Sequence, residues 1–173
     1  MKNIGILVAS VQKNMQLAHN IQEVVTDLGH KSDIINLVAL DLPMYTSIIE
    51  EEQGIPRKVN DLAKHLQTFD ALIVVSPEYN GSMPPVLNNA IAWVSRVGDD
   101  FRAIFNQKFV ALATYSGGGG IRGNDAVRAM FSYIGANVLS REIINNYAKE
   151  YKKETVINIV KELVTYSVIQ HKF

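Results

Sequence analysis

Three short segments carry the residue types that hold a polar ring or a phosphate. The longest reads Ser76-Pro77-Glu78-Tyr79-Asn80-Gly81-Ser82-Met83-Pro84-Pro85. Pro77 turns Ser76 away from helical angles, Asn80-Gly81 is a turn signal, and Pro84 or Pro85 suits the first position of a helix. Such a loop is stiff and presents backbone N–H and C=O groups in fixed directions. Those groups match the pyrimidine edge of a flavin, where donors and acceptors alternate. A rigid turn with no ligand accounts for the same residues equally well. A second segment, Thr114-Tyr115-Ser116-Gly117-Gly118-Gly119-Gly120-Ile121-Arg122, has glycines that let the backbone pass close beneath a flat ring. Tyr115 suits stacking or shielding, and Arg122 suits a phosphate or a nicotinamide cofactor; a surface tyrosine and a solvated arginine are the plain alternatives. The third segment, Ser10-Val11-Gln12-Lys13-Asn14, opens a helix and offers hydroxyl, amide and cationic groups to an anion, or simply helix caps.

Other chemistries find no support. With no cysteine, the chain has no disulfide framework, thiol nucleophile or Cys-based zinc site. His19, His30, His65 and His171 are scattered over helices, helix ends and the tail, and no nucleophile–base pair or metal cluster stands out. Catalysis would then belong to a bound cofactor, with no side chain singled out as catalytic. Seventeen basic residues balance seventeen acidic ones, which argues against a nucleic-acid partner. The apolar run near the N-terminus is too short for a membrane span, and no cleavage pattern follows it, so a cytoplasmic protein is expected.

The elements that position these segments follow from apolar patterning. Ile4 to Ala9, Asp33 to Leu37, Ala71 to Val75, Phe109 to Ala113 and Asn137 to Ile144 read as strands, several with the unbroken apolar character of strands buried on both faces. Helical spacing marks Leu17 to Leu28, Val59 to Phe69, Val86 to Val94, Val127 to Ile134 and Val156 to Leu163. Val38 to Ile55 reads as a surface excursion, with the charges of Glu50, Glu51 and Glu52 solvated. Five strands alternating with five helices predict a single three-layer α/β domain with a parallel sheet, and in the five-strand order 2-1-3-4-5 the winding reverses between strands one and three. Ligands of such sheets bind beyond the carboxyl ends of the strands where the winding reverses. The three segments lie there.

Gly118-Gly119-Gly120-Ile121-Arg122-Gly123 formally matches G-x-G-x-x-G, and Glu142 lies 19 residues after Gly123. The dinucleotide fingerprint belongs to the first strand–helix turn of its unit, whereas this is the fourth, and a run of four glycines makes such a match cheap.

The stretch Pro77-Glu78-Tyr79-Asn80-Gly81-Ser82-Met83-Pro84-Pro85-Val86-Leu87-Asn88-Asn89-Ala90-Ile91-Ala92-Trp93 resembles the signature of the NADPH-dependent FMN reductase family. That family is flavodoxin-like and includes flavin, quinone, chromate and azo-dye reductases. Asn88 and Ala92 depart from its usual Lys and Asp, on the helix rather than in the loop. The Tyr115 to Gly120 segment is similar to the family's second flavin loop. The first loop keeps Ser10, Asn14, Leu17 and Ala18 of the family's phosphate cradle, has Ala9 for its Gly and Gln12 for its Arg, and is a few residues shorter, with Lys13 available as a replacement cation.

The resemblance implies bound FMN, reduction by NAD(P)H, and delivery of electrons to a small-molecule acceptor: a flavin, quinone, azo compound or metal oxyanion. It places the ring against Pro77, Glu78, Tyr79, Asn80, Gly81, Ser82, Tyr115, Ser116, Gly117, Gly118 and Gly119, and the phosphate against Ser10, Gln12, Lys13 and Asn14. It further implies a homodimer or homotetramer. Trp93, Val94 and Val97 suit either that contact or the core. The alternative is a flavodoxin-like protein in which FMN binding is weak or lost, acting as a carrier or a regulatory binding partner.

Overall fold

The computed structural model describes residues 1–169, so His171 lies outside the described residues. Strands β1 (Asn3–Val8), β2 (Lys31–Asn36), β3 (Ala71–Val75), β4 (Phe109–Tyr115) and β5 (Asn137–Asn145) form one sheet. Every neighbouring pair is parallel, and the order is β2-β1-β3-β4-β5, as the sequence predicts. The helices are α1 (Lys13–Asp27), α2 (Leu37–Leu40), α3 (Ser47–Gln53), α4 (Arg57–Gln67), α5 (Pro85–Val94), α6 (Ile121–Tyr133) and α7 (Lys153–Ile169).

Alternation along the strands separates two apolar layers. Leu7, Leu72, Val74 and Leu112 face α4, α5 and α6, where Leu66, Leu87, Trp93 and Phe131 meet them. Ile6, Val8, Ile73 and Val75 face α1 and α7, against Ile21, Val24, Val156 and Leu163. All five residues of β3 are buried, which explains their lack of polar alternation. Each fully buried Leu, Ile or Val contributes roughly 1.5–3 kcal/mol.

The 38–55 excursion differs from the sequence expectation. It contains two short helices, α2 and α3, capped by Asn36 and Thr46, and Leu37 opens α2 instead of ending β2. Glu50 is not simply solvated: its carboxylate accepts from Arg96 Nε at 2.9 Å and from the Tyr45 hydroxyl at 2.9 Å. The Arg96 hydrogen bond holds the Glu50 carboxyl below its usual range, and the bond to Glu50 raises the Tyr45 phenol. Asn89 and Trp93 complete the attachment. Tyr45 N–H donates to Asn89 Oδ1 at 2.7 Å, and the Trp93 indole N–H donates to the Pro43 carbonyl at 2.7 Å. Residues 89, 93 and 96 fall at helical spacing, so one side of α5 and its end holds the excursion down. Trp93 and Val94 are therefore core and are not available for a subunit contact through their side chains.

Strand β5 carries a register shift opposite Val110–Leu112. Arg128 of α6 reaches this irregularity and donates to the Leu139 carbonyl at 2.7 Å while also pairing with Glu142.

Candidate functional site

The three segments converge at the carboxyl ends of β1, β3 and β4. Backbone bonds extend the ladder slightly past the strands: Ala9 N–H to the Val75 carbonyl, Ser76 N–H to the Ala113 carbonyl, and Ser116 N–H to the Asn145 carbonyl.

In the 76–85 loop, Tyr79 and Ser82 exchange two backbone bonds, at 2.9 and 3.0 Å, across Asn80 and Gly81. Both central residues have positive φ, 53° and 73°, so Asn80-Gly81 forms a two-residue turn of the mirror-image type that Asn-Gly favours. The expectation that the whole loop offers its backbone to a ligand narrows here. The N–H groups of Ser76, Glu78, Tyr79 and Ser82 have partners within the chain, whereas those of Asn80 and Gly81 at the turn tip have none among the described residues. Pro77 is buried; Tyr79, Asn80 and Ser82 are exposed. A cavity of about 450 Å³ lies beside this loop, between Met44, Ser82 and Met83 and the Asn88–Ala92 side of α5.

Glu78 ties this loop to the next. Its N–H donates to Ser116 Oγ at 2.8 Å, and its carboxylate accepts from Gly123 N–H at 3.1 Å. That carboxylate caps the N-terminus of α6, where the helix dipole favours negative charge. The approach is close: a Cβ at Gly123 would lie 2.9 Å from Glu78 Cβ. Glu142, the acidic residue of the formal dinucleotide pattern, is bonded to Asn124 and Arg128. Both ends of that pattern thus have partners within the chain.

The glycine tract divides in two. Gly119 and Gly120 have positive φ, 101° and 75°, and a Cβ at Gly120 would meet Thr114 at 2.6 Å, so backbone and packing account for both. Gly117 and Gly118 have no such reason. Neither has positive φ, a Cβ at Gly117 would meet only Tyr147 at an ordinary 3.4 Å, and a Cβ at Gly118 would meet nothing. Both are exposed. A backbone kept bare over open space suits close approach by a flat ligand.

Segment 10–14 joins the tract through Asn14. Its side-chain amide donates to the Tyr115 carbonyl at 3.0 Å and accepts from the Tyr115 N–H at 2.9 Å. Asn14 is buried, as is Ser116, whose hydroxyl is shared between Glu78 N–H and Thr114. Two of the expected ligand residues thus have side chains engaged in holding loops together. Gln12 and Lys13 are exposed, and the Lys13 ammonium lies 5.9 Å from the Tyr115 ring centre. The Ser10 hydroxyl makes one long bond, 3.4 Å, to the Val11 carbonyl. No side chain caps α1, so the N–H groups of Lys13, Asn14 and Met15 have no acceptors among the described residues. This excludes the plain capping role for Ser10 and Asn14 and leaves a helix N-terminus suited to an anion. Gln12, just before α1, has φ 56°, ψ −115°, a region that favours glycine.

Sequence reasoning passed over the turn after β5, where Tyr147 packs edge-on to Tyr115 with ring centres 6.0 Å apart. The rule that selected the other three loops, position at a carboxyl strand end, also covers this one.

Comparison with known proteins gives the chain's relatives and its family. The chain is 36% identical over 103 residues to a quinone reductase of Escherichia coli (strain K12), covering 58% of this chain and 53% of that protein. It thus spans about half the length of that relative. It is 26% identical over 145 residues to an NADPH azoreductase of Bacillus sp. (strain OY1-2), covering 79% of this chain and 77% of that one. Its fold is similar to that of a flavoenzyme NAD(P)H:(acceptor) oxidoreductase from Paracoccus denitrificans, with a TM-score of 0.79, 21% identity, and coverage of 96% and 97%. The family model for NADPH-dependent FMN reductase matches residues 2–150, and the chain belongs to that family.

Proposed function

We propose that this chain is an FMN-dependent NAD(P)H oxidoreductase delivering electrons to a small-molecule acceptor of the quinone or azo class. The observation that carries this reading is the pair Gly117–Gly118, bare backbone that neither φ nor packing demands, beside a helix N-terminus with three unpaired N–H groups. The residues fit FMN: the start of α1, with Lys13 and Ser10, would hold the phosphate, and the 117–119 tract with the Asn80-Gly81 turn would seat the ring. When bound, FMN supplies hydride acceptance from the nicotinamide and electron transfer onward. The chain's part is to position and shield. Glu78 and Asn14 fix the loops relative to one another, and Tyr115 borders the site. The cavity beside Ser82 and Met83 offers room for an acceptor. The guanidinium of Arg122, whose stem lies beside Gly81, has no ion-pair partner among the described residues and suits a phosphate of the nicotinamide cofactor. The availability of NAD(P)H argues for the cytoplasm.

The test is titration of the purified protein with FMN, followed by NADH and NADPH oxidation with benzoquinone and an azo dye. Saturable FMN binding and FMN-dependent turnover are expected; no FMN binding at any concentration defeats the proposal. A second reading rests on the first loop, where Asn14 is occupied by Tyr115 and Gln12 is strained. Under that reading FMN binding is weak or lost, and the protein is a carrier or a regulatory partner. FMN binding without turnover on any acceptor would favour the carrier form.

A further inference from the structure

The turn after β5 is built, not loose. Asn146 Oδ1 accepts from both Ala148 N–H and Lys149 N–H at 2.8 Å, and Asn146 N–H donates to the Lys149 carbonyl at 3.0 Å. Its base is fixed to the glycine loop by the Ser116 N–H bond to the Asn145 carbonyl. At its tip stands Tyr147, 83% exposed. Such exposure of a tyrosine held on a braced turn gives the folded chain little burial in return. It borders two parts of the candidate site: the ring of Tyr115, met edge-on, and Gly117, 3.4 Å from Tyr147 Cε2 measured at the position of an added Cβ.

The glycine tract shows what space Tyr147 borders. An added Cβ at Gly117 points at Tyr147, one at Gly119 comes within 4.0 Å of Asn146, and one at Gly118 between them points into open space. The turn therefore runs alongside the bare stretch. Glu78 and Gly123 are in contact, so no ligand fits between them. A flat ring lying over Gly118 has Tyr147 as its neighbouring aromatic side chain.

We propose that Tyr147 is a ligand-contacting residue, the outer aromatic wall of the ring site, which packs against the flavin and shields it from solvent. The inference rests on the FMN reading above and adds a residue from a fourth loop to it. Tyr115 and Tyr147, perpendicular at 87°, then form an aromatic corner around one end of the ring.

The experiment compares wild type with Tyr147→Ala, Tyr147→Phe and, as a control, Tyr133→Ala, which removes another exposed tyrosine from the end of α6. FMN affinity is read by equilibrium dialysis, and shielding of the bound flavin by iodide quenching of its fluorescence. Tyr147→Ala should weaken FMN binding about tenfold, the scale of one lost aromatic contact, and raise the iodide quenching constant. Tyr147→Phe and Tyr133→Ala should match wild type in both. Thermal unfolding of apo Tyr147→Ala should match wild type, because so exposed a side chain contributes little to the fold. Unchanged affinity and quenching in Tyr147→Ala, with wild type binding FMN, overturns this inference alone. Failure of wild type itself to bind FMN overturns the parent reading and this one with it.

Discussion

The side-chain amide of Asn14 pairs with both backbone groups of Tyr115, accepting from its N–H at 2.9 Å and donating to its carbonyl at 3.0 Å. A side chain at the start of α1 thus acts as one more rung beside β4, 101 residues along the chain. It sets the distance between the helix N-terminus and the glycine tract. Asn14→Ala leaves both Tyr115 groups unpaired in a mostly buried setting and should cost about 2 kcal/mol. A fall in the urea midpoint at constant slope is the expected result. Asn14→Asp should also destabilise, because a carboxylate can accept from the N–H yet faces the carbonyl with no proton to give.

Gly118→Ala separates folding from binding. With no positive φ and no neighbour near the new methyl, the substitution should leave the fold intact or stabilise it by up to about 1 kcal/mol through the unfolded chain. The same methyl projects into the space assigned to the flat ring and should weaken FMN binding at least tenfold. A thermal melt and an FMN titration on one preparation check both halves. Gly120→Ala should behave differently and destabilise the apo chain, since its φ is 75° and Thr114 occupies the space.

Gln12 holds a glycine-like backbone conformation at the entry to α1. Strain of this kind costs about 1–3 kcal/mol. Gln12→Gly relieves it at the expense of a more flexible unfolded chain, so a net gain of about 1 kcal/mol in chemical denaturation is expected.

Lys108 is partly buried at the opposite end of the sheet, with its ammonium donating to the Leu66 carbonyl at 2.7 Å. Burial pushes its pKa down to about 8, against a weaker opposing pull from Asp70. Between pH 8 and the ordinary lysine value of 10.5, the unfolded chain binds more protons than the folded one, so this residue makes stability rise with pH over that window. Lys108→Met should be more stable than wild type at pH 7, and the gap should narrow as pH climbs from 8 to 10.5. Denaturation midpoints of the two proteins at pH 7, 9 and 10.5 test the sign; a gap that widens with pH contradicts it.

Strand positions are legible because β1, β3 and β4 are apolar runs buried on both faces, a pattern local in sequence, whereas the sheet order follows from the flavodoxin-like resemblance and not from those runs. The turn at Asn80-Gly81 was legible for the same reason: two adjacent residues carry its signal. The function of Asn14 was not, since its partner is distant in the chain and either a cap or a ligand contact suits an asparagine at the start of a helix. Glu78 is similar. Nothing near it in sequence announces that its carboxylate caps α6, 45 residues on. From sequence Glu50 belongs to an acidic run with Glu51 and Glu52 that suggests solvation, and the distinction lies in Arg96 reaching it from beyond α5. The Gly117–Gly118 tract could be suspected from composition, but only the structure separates two glycines with backbone or packing reasons from two without.

Strand β5 is a border of the sheet, and borders invite pairing with strands from other molecules. The register shift opposite Val110–Leu112 interrupts its regular spacing, and the Arg128 guanidinium already occupies the Leu139 carbonyl. An incoming strand would meet an irregular template. The register shift therefore makes this border a poorer template for strand pairing between copies than a regular edge strand would be.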